Sequence, residues 1–181
     1  MTKELEILLG NLAACGQRIS KLAYSLNKNM DLLPLTAEKL ASLNDDQEES
    51  IDALILRYSQ SVAMIQDQIF RGIGYIEQEN LSDKSNRDKA LLMEKIGAIR
   101  SAEEFGAATV LRNKFSHHYP EEVESRIERL NLVVQEADYV IETFQDILAY
   151  LNRKGFINSS SRNKPALSGV SGEKTANIGN D

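Results

Sequence analysis

Residues 5–26, LEILLGNLAACGQRISKLAYSL, decide the fold class. Leu5, Leu8, Leu12, Cys15, Ile19, Leu22 and Leu26 recur at alternating steps of three and four. A helix turns about 100° per residue, so these steps place the whole set on one side. Repeated over three heptads, they make a seam that fits inside a bundle or against a second copy of the same helix. A strand would alternate apolar and polar residues one by one, and no stretch of the sequence does so.

Outward from this seam the same period returns. Asn, Asp and Pro punctuate residues 27–34, and a short helix is expected over 36–43 with Thr36 as its N-cap. The run Asn44-Asp45-Asp46-Gln47-Glu48-Glu49 supplies a cap and first-turn acids for a long helix. Its apolar stripe is Ile51, Ile55, Tyr58, Val62, Ile65, Ile69, Ile73 and Ile76, with Gly72 and Gly74 placed to kink it or to admit a close neighbour. Residues 80–87 read as a polar loop. An amphipathic segment follows over 88–100, with Leu91, Leu92, Ile96 and Ile99 on its apolar face. Ser101 and Glu104 form a capping-box pair that opens another helix, with Phe105, Ala108, Leu111 and Phe115 inward and Pro120 at its end. Pro120-Glu121-Glu122 also starts the last helix. Its stripe is Val123, Ile127, Leu130, Val134, Ala137, Ile141, Phe144, Ile147 and Leu151, and Gly155 closes it. The expected fold is all-α: an up-and-down bundle of four to five helices over residues 1–154. Residues 155–181, rich in Ser, Asn, Gly and Lys, read as a flexible polar tail.

The 181 residues suffice for one domain with a sizeable core. The hydrophobic share of 42% and charged share of 27% are those of a soluble globular protein. A single Cys15 excludes an internal disulfide and a Cys-based zinc site, and its helix-periodic position suits a buried thiol. Two adjacent histidines are too few for a usual zinc site. The acidic start Met-Thr-Lys-Glu-Leu-Glu is unlike a signal peptide, and no apolar run approaches the ~18 residues of a membrane span. A cytoplasmic protein, with no membrane association, is expected.

Net charge is −6. Residues 152–181 hold five basic and two acidic residues, so the rest of the chain is more acidic still. Phosphate binding is driven by Lys and Arg, so the charge argues against broad coating of nucleic acid. Any RNA contact must be local, around Arg112 and Lys114 and aided by the tail.

One stretch carries chemistry: Arg112-Asn113-Lys114-Phe115-Ser116-His117-His118-Tyr119. Asn113 and His117 are four apart and share a helical face. His117 lies about 200° from Phe115 and points away from the core, whereas His118 continues the apolar face. His117 is therefore the chemical histidine, and His118 packs or caps the helix end. Taken alone, His117 would be a helix-end histidine favoured by the dipole, and Tyr119 an aromatic packed over Pro120. Together with Arg112 and Asn113 they suggest more. A guanidinium and an imidazole are the groups needed to cut RNA without a metal. Asp45-Asp46, Glu48-Glu49 and Glu121-Glu122 read as helix-start acids, and Gly72-Ile73-Gly74 has no phosphate-loop context.

The Arg-x4-His-x-Tyr pattern, in an all-helical chain of this size, resembles the HEPN family and within it the HepT-type toxins. The likeness spans roughly residues 45–152 and is sharpest at 111–123. It implies a homodimer, because Arg112 and His117 diverge by about 140° on one straight helix and two copies of the motif would share a cleft. It implies a metal-independent endoribonuclease needing no cofactor. A 2′-hydroxyl attacks the adjacent phosphorus and leaves a 2′,3′-cyclic phosphate. In that reading Arg112 neutralises the phosphate, His117 moves the proton and Asn113 orients either group. It also implies a cognate minimal nucleotidyltransferase antitoxin that transfers AMP to Tyr119. The alternative is a non-catalytic helical binding module that partners a nucleotidyltransferase or presents its substrate. A purely structural helical adaptor is a third possibility.

Overall fold

The computed structural model describes residues 2–116 and 122–157. Among these there are only helices and their connections. They are α1 (Lys3–Asn29), α2 (Ala37–Ala41), α3 (Asp45–Met64), a π turn (Ile65–Ile69), α4 (Phe70–Ile76), α5 (Asn86–Lys95), α6 (Ala102–Ser116) and α7 (Val123–Arg153). Because α3, the π turn and α4 run on without a break, the described residues form six rods, four long and two short. That is one rod more than the upper expectation: the short helix expected at 36–43 is α2, and α5 stands as a further separate rod.

Capping chemistry sets most boundaries. Thr2 and Thr36 accept from the Leu5 and Lys39 amides and open α1 and α2. Asn44 with Gln47 and Ser85 with Asp88 make full capping boxes at α3 and α5. Ser101 Oγ accepts from Glu104 N at 3.1 Å, and Glu94 Oε2 accepts from Ala102 N at 2.5 Å, at the start of α6. Helix α7 ends in a Schellman motif. Gly155 has φ 76°, and the Gly155 and Phe156 amides donate to the Asn152 and Leu151 carbonyls. Gln78 makes the same turn after α4 with φ 60°, strain that a glycine would avoid.

The heptad seam of α1 is intramolecular core. Leu8, Leu12, Cys15, Ile19, Leu22 and Leu26 are all buried. Burial pushes the Cys15 thiol up to about 12, so it stays protonated and inert. Helix α1 lies antiparallel to α3. Asn29 Nδ2 donates to the Ser25 and Ser50 carbonyls at 2.8 and 3.2 Å, and Arg57 reaches Ser25 Oγ. Helices α6 and α7 are also antiparallel, joined by Tyr139 Oη donating to Ser101 O and by Arg100 paired with Glu142 and Asp146. The link from α1 to α3 is pinned to α7 at two points. Asn131 Oδ1 accepts from Leu35 N at 2.7 Å, and its Nδ2 donates to Leu35 O at 3.0 Å. Leu35 thereby packs with Ile51 and Leu130 in a small second core that Phe115 touches.

Three expectations need correction. The 88–100 segment is helical only to Lys95, because Gly97 at φ 75° turns the chain. Leu91 is exposed, and Ala90 and Met93 take the inward positions. On α7, Val123 is exposed. Leu130, Ala137, Phe144, Ile147 and Leu151 are buried as expected, whereas Val133 and Val140 take the inward places expected for Val134 and Ile141, which are half-buried. At the far end Phe156 and Ile157 pack against the core, past the expected domain edge. The remainder of the tail, residues 158–181, lies outside the described residues.

Gly72 and Gly74 admit close neighbours, and the irregular turn sits upstream of them at 65–69. A Cβ on Gly74 would lie 2.8 Å from Leu81 Cγ, and one on Gly72 would lie 2.7 Å from Leu8 Cδ1. Ala normally gains about 1 kcal/mol over Gly inside a helix. Gly74→Ala should instead destabilise the fold by about 1 kcal/mol or more, because the buried Leu81 must move as a whole. In a Leu81→Ala background the same change should cost nothing in chemical denaturation. An equal cost in both backgrounds would contradict the steric account.

Candidate functional site

Helix α6 carries the motif, and the core grips it firmly on its inner side. Phe105, Ala108 and Leu111 are buried, as their spacing predicts. The Phe105 ring sits 4.8 Å from that of Phe70, and Phe115 meets the edge of Tyr58 at 6.3 Å. Tyr58 has no exposure, and its Oη donates to Ala108 O at 2.8 Å. Burial, and then the negative charge of Glu136, hold its phenol protonated far above the ordinary range. It is a donor here, not a proton-transfer group.

Arg112 is half-buried on the last turns of α6. Its Nη1 donates to Asn113 Oδ1 at 3.1 Å, so the amide and the guanidinium expected to work together are in contact. The Arg112 Nε is enclosed and makes no hydrogen bond. Among the described residues the ion pairs are those of Arg100 and Lys154, so no described carboxylate neutralises Arg112. Ser116 Oγ donates to Arg112 O at 3.2 Å and reinforces the final turn. Asn113, Lys114 and Ser116 are exposed around it. This end of α6 is thus a polar, cationic surface on a rigid base, suited to an anion. His117, His118, Tyr119, Pro120 and Glu121 lie outside the described residues.

Glu136 on α7 lies within electrostatic reach of Glu104 in the first turn of α6. Burial, followed by the charge of Glu104, raises the Glu136 carboxyl above the usual carboxylate range. A raised value means that the folded chain holds this proton more tightly than the unfolded chain. The ionised group therefore costs no stability below the unfolded value of about 4.3 and costs progressively more as pH rises through the folded value. Glu136→Gln should raise the denaturation midpoint at pH 7, with the gain vanishing below about pH 4. A gain of the same size at both pH values would contradict this.

Two polar residues near the site carry no sequence signal. Gln66 is buried on the π turn, where the isoleucine stripe predicts only apolar neighbours. Its Oε1 accepts from Thr109 Oγ1 at 3.1 Å, and the same hydroxyl lies 3.0 Å from Phe105 O. Among the described residues no group of His, Cys, Asp and Glu is placed to hold a metal ion, and no helix is long and apolar enough to cross a membrane. No protein-family model, curated protein or solved structure matches this chain.

Proposed function

We propose that the chain is a metal-independent endoribonuclease, the toxin of a pair whose antitoxin is a nucleotidyltransferase that silences it by AMP transfer to Tyr119. One observation carries the reading. Arg112 is a half-buried cation without a described carboxylate partner, hydrogen-bonded to Asn113, in a chain with 27 acidic residues. A structural arginine in such company would pair with an acid, because burying an uncompensated charge is costly. A guanidinium left open suits an incoming phosphate, which it can hold through two parallel N–H donors. The resemblance of 112–119 to HepT-type motifs supplies the rest: His117 as acid and base, RNA as substrate, and a homodimer that brings two motifs to one cleft.

Purified protein incubated with tRNA and mRNA should cut RNA equally with and without EDTA, leaving 2′,3′-cyclic phosphate ends. Light scattering should give a dimer at micromolar concentration. Co-expression with the partner should add AMP to Tyr119, seen by mass spectrometry, and Tyr119→Phe should stay toxic. RNA binding without cleavage, from a protein that is not toxic, would favour the binding-module reading. Full neutralisation with no adduct would mean that the antitoxin works by occlusion.

A further inference from the structure

We infer that Tyr58 and the Gln66–Thr109 pair are positioning residues that aim the Arg112 guanidinium from beneath α6. A helical side chain leans toward the N-terminus and covers the turn three and four residues before it. For Arg112 that turn holds Ala108 and Thr109. Both are gripped from the facing rod by a buried polar side chain. Tyr58 Oη donates to the Ala108 carbonyl at 2.8 Å, and Gln66 Oε1 accepts at 3.1 Å from the Thr109 hydroxyl, whose one hydrogen is shared with the Phe105 carbonyl at 3.0 Å. The Ala108 carbonyl is the one that the Arg112 backbone N–H meets in an α-helix, so Tyr58 adds a second donor to that link.

Apolar contacts alone would let α6 slide or rotate slightly on the core, since they have no direction. Hydrogen bonds do have direction, and two on successive residues fix both the height and the rotation of the helix. They matter here because Arg112 has little else to orient it. Its polar contact among the described residues is to its own neighbour Asn113, and its enclosed Nε makes no bond. The direction of the guanidinium is inherited from the helix. Burying Gln66 and a tyrosine hydroxyl where leucine and phenylalanine would pack is costly unless both are satisfied. The Tyr58 hydroxyl and Gln66 Oε1 find their partners on this one turn, and Gln66 Nε2 donates to the neighbouring Asp67 Oδ1 at 3.3 Å. The π turn places Gln66 there. Its widened turn turns inward a residue that the isoleucine stripe leaves out, and π turns recur near functional sites.

This inference rests on the ribonuclease reading only for what the aimed guanidinium acts on, and its first test does not use activity. In the full-length protein, the Arg112 Nε–H resonance reports how the side chain is held. Tyr58→Phe and Thr109→Val each remove one hydroxyl and add no bulk. In each, the Arg112 Nε–H signal should shift and broaden while the amide spectrum stays dispersed, and Thr109→Ser should restore it. An unmoved Nε–H signal in both variants would overturn the inference. So would collapse of amide dispersion in both, which would assign the hydroxyls to the fold instead of to the arginine. In steady-state RNA cleavage, the same two variants should lose about ten- to a hundredfold in kcat with KM unchanged. Thr109→Ser should cut like the wild type. Wild-type protein that cuts no RNA would sink the ribonuclease reading and leave the resonance to decide the positioning. Wild-type protein that cuts, with unchanged rates in both variants, would sink the positioning alone.

Discussion

Arg112→Ala should lower RNA cleavage by about a hundredfold to a thousandfold, and His117→Ala by about a hundredfold or more, with no loss of fold. For Arg112 the argument is structural as well as chemical. The side chain is half-buried, its Nε is enclosed and unbonded, and its Nη1 contact is local, to Asn113. Among the described residues its removal breaks no cross-helix hydrogen bond, and it relieves one unsatisfied buried donor. The denaturation midpoint should therefore hold steady or rise. Arg112→Lys keeps the charge but loses the fork, and it should recover only part of the rate. For His117 the argument is the resemblance and the outward direction that helical periodicity predicts from the sequence. The assignment fails if His118→Ala abolishes cleavage while His117→Ala does not. It also fails if Arg112→Ala unfolds the protein, because the arginine would then be structural.

Phe105→Ala should cost about 3–5 kcal/mol of stability. Domain stability is typically about 5–15 kcal/mol, so the variant should sit near its unfolding transition. Phe105 is almost wholly buried, on the inner face of α6, with its ring tilted against Phe70 just past the π turn. Truncation leaves a cavity between two rods that cannot close up, because Tyr58 and Gln66 hold α6 at a fixed height. Urea denaturation should show a lower midpoint at unchanged slope. A loss below about 1 kcal/mol would mean that α6 can resettle, which would also weaken the case that its position is fixed. Phe105→Leu, which refills most of the space, should recover much of the loss.

Much of the fold is legible from period alone. Every buried residue of the α1 seam from Leu8 to Leu26 follows from steps of three and four, as do Phe105, Ala108 and Leu111 on α6. Caps at Thr36, Asn44 and Ser101 are legible because a side-chain oxygen before a helix satisfies amides that have no other partner. The errors have a common cause. Leu91 and Val123 fit an apolar face by spacing, yet they are exposed, because burial depends on where the neighbouring rod lies and not on the helix itself. Gly97 ended α5 early through a left-handed turn whose signal is one glycine among several.

The sequence by itself determined the all-α class, the order of the long helices and which residues of the motif carry charge. Each of these is a local property, set by periodicity, capping and side-chain chemistry within a few turns. The tertiary structure alone decided that the α1 seam is spent on the core, and that a glutamine on a π turn is buried. It also decided that Tyr58 and Gln66 hold α6 beneath Arg112, and that no described acid neutralises that arginine. These depend on pairs about 50 residues apart, such as Tyr58 with Ala108. No local pattern encodes such a pair, because a hydrogen bond between two rods is fixed only when both have docked.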